Sequence, residues 1–262
     1  MIKRISLVLA LVLMLFAMGG CTESKKAATV SEGKFTVGFD QDFPPMGFID
    51  ENGEFTGFDL ELAAEVAKRL KLELVLQPII WDAKDFELES RNIDCVWNGF
   101  TINGREDKYT WTEPYMANRQ VFMVRSDSGI TKLADLAGKT VAVQKESSAE
   151  DALAKNPDLL NSFGNLITAA DYNIALMDLE AGGVDAVALD EIVANYYIQN
   201  KGSKFVILEE TLAEEEYGVG FLLGNEELRD AVQKALEDMA KDGTLKSISE
   251  KWFGKDVTTI GK

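Results

Sequence analysis

Residues 34–78 read KFTVGFDQDFPPMGFIDENGEFTGFDLELAAEVAKRLKLELVLQP, and the rhythm of this stretch decides the fold. KFTVGF (34–39) is a short strand pattern bounded by turn-forming residues. DLELAAEVAKRL (59–70) instead sets Leu62, Ala63, Val66, Ala67 and Leu70 on one face at helical spacing. Asp59 and Glu61 open that helix and Lys68 and Arg69 close it, the charge order the helix dipole favours. LELVLQP (72–78) is a second strand, stopped by Pro78. Strands alternating with helices imply parallel sheets in an α/β fold.

The alternation continues downstream. A short helix around 85–90 leads into a strand at 93–97. KTVAVQ (139–144) is a strand, and Ser147 or Ser148 is a suitable N-cap for the helix AEDALAK (149–155). A helix at 172–181 is stopped by Gly182-Gly183. Strand 184–189, helix 191–199 and strand 204–208 follow, then strand YGVGFLL (217–223), a long helix over about 225–241 and a last helix reaching Trp252. NIDCV (92–96) and GVDAV (183–187) echo one another, each after a helix and before a loop, which places equivalent strands in two similar lobes. Ligands of open α/β sheets sit beyond the carboxyl ends of the strands. The residues to inspect are therefore the loop 98–105 and Asp190.

Composition narrows the chemistry. The 262 residues carry 27 Lys and Arg against 44 Asp and Glu, a formal charge of −17, with no histidine and two cysteines. Such an acidic chain is a poor partner for nucleic acid, whose binding relies on Lys and Arg displacing counterions. Without histidine there is no Ser-His-Asp or Cys-His catalysis and no imidazole metal site, and two cysteines cannot build a Cys-cluster zinc site. MIKR at the start, an uncharged and mostly apolar run at 5–18, and Gly19-Gly20-Cys21 together describe an export signal. Met18-Gly19-Gly20-Cys21 resembles the bacterial lipoprotein box, with Met where an aliphatic residue is usual. On that reading Cys21 is lipidated and 22–33 is a tether. Cys95 is then the remaining cysteine of the exported body, with no disulfide partner, and it packs in a strand as a small hydrophobe.

GFDLELAAEVAKRL (57–70) resembles the signature helix of the bacterial extracellular solute-binding proteins of family 3, which serve amino-acid ABC transporters. GFDQDFPPMGF (38–48), GFTINGR (99–105), WTEPY (111–115), GVDAVALD (183–190) and DGTLKSISEKWFG (242–254) resemble further family segments in the same order. The resemblance implies an α/β, two-lobed, type II periplasmic-binding-protein-like fold with two crossover strands, near 118–123 and 214–219. It divides the chain into a signal peptide (1–20), a lipidated tether (21–33), a first lobe (34–120 plus 216–262) and a second lobe (121–215). It also implies a monomer, anchored by lipid to the outer face of the bacterial cell membrane, that hands an amino acid to permease subunits. No cofactor, metal or nucleic acid is expected.

A free amino acid buries a carboxylate and an ammonium, and each needs an opposite partner. Arg105 is the carboxylate grip implied by the resemblance, since a guanidinium can form two parallel bonds to it. TINGR is one residue shorter than the family pattern, and the alternative is a surface Arg paired with Glu106 or Asp107. Thr101 and the backbone around Gly99 supply polar contacts from the same loop. Ser147 and Ser148 resemble the second lobe's contribution, with simple N-capping as the alternative. Asp190 resembles the ammonium-binding acid, again with an N-cap as the alternative. Phe43 and Trp81 match aromatic positions that sandwich the ligand side chain. Asp40 resembles a position that meets polar side chains, and a carboxylate there favours a neutral polar or basic amino acid such as glutamine or cystine. Asp42 reads as solvated.

Two other readings compete. A few members of this fold resemble cyclohexadienyl dehydratase, and Glu146, where the family often has glycine, is the candidate acid–base group for such an enzyme. A sensory domain is the third, which the lack of a downstream apolar span disfavours.

Overall fold

The computed structural model describes residues 33–202 and 204–262. The expected export signal and Cys21 lie outside the described residues. One mixed, 10-stranded sheet organises the molecule. Its first half runs from Glu73–Pro78 through Lys34–Phe39 and Cys95–Thr101 to Ala213–Leu222. Its second half continues with Met116–Arg125, Ala186–Asp190, Thr140–Gln144 and Asn165–Ala169. Lys34–Phe39 and Glu73–Pro78 are parallel in full register, Lys34 opposite Glu73 and Phe39 opposite Pro78. The helix between them is Phe58–Leu70, and its buried face carries Leu62, Ala63, Val66 and Ala67. The opening stretch therefore folds as its rhythm requires.

The two halves meet at a pair of long antiparallel strands. The chain leaves the first half along Met116–Arg125 and returns along Ala213–Leu222, paired from Tyr217 opposite Met116 to Ala213 opposite Gln120. Both strands thus cross between the halves. One apolar core runs through both halves, and a second lies within the second half. Phe35, Val37 and Trp97 pack beneath the helix Phe58–Leu70 in the first, and Phe122, Val141, Val143 and Leu153 pack together in the second. Burial of each large side chain contributes roughly 1.5–3 kcal/mol. Helices Glu226–Asp242 and Thr244–Phe253 close back onto the first half. There Arg69 pairs with Asp242 at 2.8 Å and the Trp252 indole donates to Glu61 at 2.8 Å. Among the described residues no helix is long and apolar enough to cross a membrane.

Three departures from the sequence expectation bear on the site. The strand expected at 93–97 is Cys95–Thr101, so Asn98, Gly99 and Thr101 sit on a buried strand and not on a loop. The strand expected from Tyr217 starts at Ala213, because its acidic beginning, AEEE, does not read as buried. The short strands Asp42–Phe43, Gly47–Ile49 and Phe55–Thr56 form a small sheet of their own, carrying Phe43 on an element where a loop was expected. Cys95 is buried with a free thiol, pushed well above its ordinary range by that burial.

Candidate functional site

The strand Cys95–Thr101 ends inside the cleft between the halves, and each of its residues is buried. Gly99 adopts φ 58°, and a Cβ there would stand 3.0 Å from the Phe43 ring and 3.1 Å from the Tyr217 ring. Its N–H is not free for a ligand: it donates to Asp59 Oδ2 at 2.6 Å. That bond holds the strand end to the helix Phe58–Leu70. Tyr115 OH donates to the same oxygen at 2.8 Å. Burial, opposed by these bonds, lifts the Asp59 carboxyl to about 7.

Beyond the strand, Arg105 N–H donates to Ile102 O at 2.8 Å and Gly104 has φ 82°, so Asn103-Gly104 forms a tight turn. The turn sends Arg105 back into the cleft in spite of the shorter loop. Its side chain is buried over the Phe100 ring at 5.6 Å, and its Nη2 donates to Asp151 at 2.9 Å and to the Glu146 carbonyl at 3.2 Å. Both acceptors belong to the second half, so the pairing with Glu106 or Asp107 is not what forms.

From the second half, Ser147 caps the helix Ser148–Ala154, its hydroxyl accepting from Glu150 N at 3.2 Å. Ser148 Oγ accepts from Gln120 Nε2 at 2.9 Å. Asp190 ends the strand Ala186–Asp190 and stands at the N-cap position of Glu191–Lys201, yet its side chain makes no capping bond. It turns inward instead. Tyr217 OH donates to its Oδ1 at 2.5 Å and Asn118 Nδ2 at 3.0 Å, while Tyr172 OH donates to Oδ2 at 3.4 Å. Burial and then the charge of Glu215 push the Asp190 carboxyl well above its ordinary range.

These groups line one narrow pocket in the cleft, of ≈ 10 Å³. Arg105, Thr101 and Gly99 line it from the first half, and Ser147, Ser148 and Asp190 from the second. Phe43 and Trp81 line it with their rings. Trp81 is fixed by an indole N–H bond to the Glu146 carbonyl at 3.2 Å and by an edge contact with Phe100 at 5.4 Å. A wider groove of ≈ 500 Å³ runs between Trp252, Phe253 and the helix Glu191–Lys201, but none of the expected site residues reach it.

Asp40 is not among the residues lining the narrow pocket. It is buried beside it, where its Oδ2 accepts from Gln144 Nε2 at 2.7 Å and its Oδ1 from Asp42 N at 2.9 Å. Burial lifts its carboxyl to about 6. Gln144 lines the cavity in its place. Asp42 is half-buried and bonded by the Asn173 amide, so it is not simply solvated. The Glu146 side chain is about half exposed and paired with Lys84 at 3.3 Å, outside the cavity lining. Its backbone has φ 56°, a conformation costing a non-glycine residue roughly 1–2 kcal/mol, which is the physical reason glycine suits the position.

Two groups escaped the sequence reading. Asn98 lines the cavity, fully buried, and neither its Oδ1 nor its Nδ2 has a partner. Glu215, on the return crossover, is buried beside Asp190. Its position inside an acidic run offered no signal, whereas Asn98 sits at the strand end already marked for inspection.

Comparison with known proteins agrees with this architecture. The family model of the bacterial extracellular solute-binding proteins, family 3, matches residues 35–255. The L-cystine-binding protein TcyJ of Escherichia coli K12 is 35% identical over 86% of this chain and 85% of its own. A substrate-binding protein of an ABC uptake transporter from Streptococcus pneumoniae, solved with histidine bound, superposes with a TM-score of 0.85 at 35% identity, covering 87% of this chain and 96% of that one. Tv2483 bound to L-arginine superposes at 0.83 with 25% identity, over 88% of this chain and 94% of its own. With two α/β lobes, two crossover strands and a matching sequence over nearly its whole described length, this chain belongs to the bacterial extracellular solute-binding proteins of family 3.

Proposed function

We propose that the protein captures a neutral polar or basic L-amino acid between its lobes and delivers it to the permease of an ABC transporter. One observation carries the reading: the cleft pocket has a buried guanidinium, Arg105, on one wall and a buried carboxyl, Asp190, on another. That charge arrangement complements the two ends of a zwitterion, whose enclosure costs several kcal/mol per ion without such partners. Arg105 grips the carboxylate, with Ser147, Ser148 and Thr101 adding bonds, and Asp190 takes the ammonium. Phe43 and Trp81 flank the side chain.

Gln144 sets the preference. Its amide nitrogen is held by Asp40 and by the Ala170 carbonyl at 3.3 Å, which leaves its oxygen as the group to meet the ligand. An acceptor at that point favours an amide, ammonium, guanidinium or imidazole and disfavours a carboxylate. Asp40 acts through Gln144 in this scheme. The unpartnered Asn98 amide, able to donate and accept, joins it. Relatives that bind cystine, histidine or arginine fit the same range.

The division of the chain is proposed as 34–120 with 216–262 for the first lobe and 121–215 for the second, behind a signal peptide (1–20) and a tether (21–33) lipidated at Cys21. A monomer held on the outer face of the bacterial cell membrane follows from that arrangement. The dehydratase alternative loses its candidate group, because Glu146 faces Lys84 and not the cavity.

Calorimetric titration with L-cystine, L-arginine, L-histidine, L-glutamine and L-glutamate tests the reading. Saturable binding of a neutral or basic member, recovered unchanged, is the expected result. Binding of L-glutamate alone, or conversion of a cyclic acid, would overturn it.

A further inference from the structure

The anionic end of the cleft holds two acids, not one. Glu215 lies on the return crossover strand and is buried behind Thr101 and Asp190, both of which line the cavity. Its Oε2 accepts from Thr101 Oγ1 at 2.9 Å, and its Oε1 accepts from Asn118 Nδ2 at 2.6 Å and Gln120 Nε2 at 2.8 Å. The same Asn118 nitrogen donates to Asp190 Oδ1 at 3.0 Å, so one amide bridges both carboxyl groups. The groups facing the pair come from both lobes and both crossovers: Thr101, Asn118, Gln120, Tyr172 and Tyr217. All are neutral donors. Among the described residues no lysine or arginine pairs with either acid. With a second acid beside it and neutral donors alone around it, a buried Asp190 carboxylate is costly. A proton on Asp190 relieves that cost.

We propose that Asp190, buried against Glu215, holds a proton before the ligand enters, and that the ammonium group of the incoming amino acid displaces it. This rests on the amino-acid-binding reading above. No covalent bond changes: one ammonium enters and one proton leaves Asp190 for solvent, so the carboxylate that forms faces the ligand's positive charge. Glu215 is a positioning residue here. Through Thr101, Asn118 and Gln120 it ties the ammonium site to the opposite lobe and to the outgoing crossover, so filling the charge site and closing the hinge act on the same bonds.

The test is titration calorimetry with L-glutamine and L-arginine, in buffers of different ionisation enthalpy, between about pH 6 and pH 8. The native protein should release up to one proton, its Kd rising by at most about tenfold per unit of falling pH. Glu215→Gln should release fewer protons than the native protein, with an affinity that varies less with pH over this range and is weaker than native at its upper end. Asp40 and Asp59 titrate in both proteins, so the difference between them is the readout. Infrared spectroscopy of the ligand-free proteins adds an independent reading: at matched pH the protonated-carboxyl band should be weaker in Glu215→Gln than in the native protein. A native protein that releases no proton, or a variant with the native proton count and band, would overturn the proposal. Should Glu215→Gln fail to fold, Asp190→Asn takes its place: its ligand-free protonated-carboxyl band should be weaker than the native one, and a native band would overturn the proposal. Should neither probe bind, the displacement step falls together with the amino-acid reading, while the infrared difference still decides whether Asp190 carries the proton.

Discussion

Arg105 shows how one residue is aimed by its neighbours. The Asn103-Gly104 turn reverses the chain, the Phe100 ring lies under the guanidinium, and Asp151 and the Glu146 carbonyl draw it across the cleft. Its replacement by alanine leaves Asp151 in water, since that side chain is already 53% exposed. Arg105→Ala is therefore expected to fold with a circular dichroism spectrum like the native one and to bind its amino acid at least about 100-fold more weakly, roughly 3 kcal/mol. Calorimetry checks it, and native affinity would place the carboxylate elsewhere. At this scale the sequence was informative where a residue type is scarce in its setting. A lone Arg after a strand and an Asp closing VDAVAL both stand out. Glu215 does not, because AEEEY looks like a solvated acidic run until strand pairing with residues 116–120 buries it.

Elements were legible where periodicity is clean. The helix Phe58–Leu70 and the strand Lys34–Phe39 follow directly from apolar spacing. Strands such as Tyr109–Trp111 and Asn165–Ala169 are too short to show a period, and pairing alone defines them. The start of the signature helix depends on Gly57, at φ 144°, where a Cβ would lie 2.2 Å from the Met46 carbonyl oxygen. The adjoining bonds, Phe58 N to Pro45 O at 2.8 Å and Asp59 N to Met46 O at 3.0 Å, leave that backbone no room to retreat. Gly57→Ala should lower unfolding free energy by about 2–4 kcal/mol, from strain plus overpacking. Denaturant melts of the variant and native protein measure this, and an unchanged midpoint would show that the helix start can shift.

Over the whole molecule the pattern of buried acids governs pH behaviour. Asp40 and Asp59 are raised to about 6 and about 7, and Asp190 is raised well above its ordinary range, each chiefly by burial. Acids whose folded pKa exceeds the unfolded value bind more protons when folded, so their contribution is complete near pH 4 and is lost as pH rises through the folded values. The ligand-free protein should therefore have a Tm that falls between about pH 4 and pH 7, reinforced by self-repulsion in a chain of net charge −17. Asp59→Asn should flatten part of that slope in a thermal melt series, and a Tm that climbs over the window would refute the assignment. The same burial supports the proposed zwitterion site, in which a carboxylate would meet Arg105 and an ammonium would meet Asp190, both side chains already out of water. A crystal structure of the protein with its amino acid bound examines this most directly. The expected density lies between the lobes, carboxylate on Arg105, ammonium on Asp190 and side chain toward Gln144. An amino acid bound outside this cavity, or with its carboxylate away from Arg105, would contradict it.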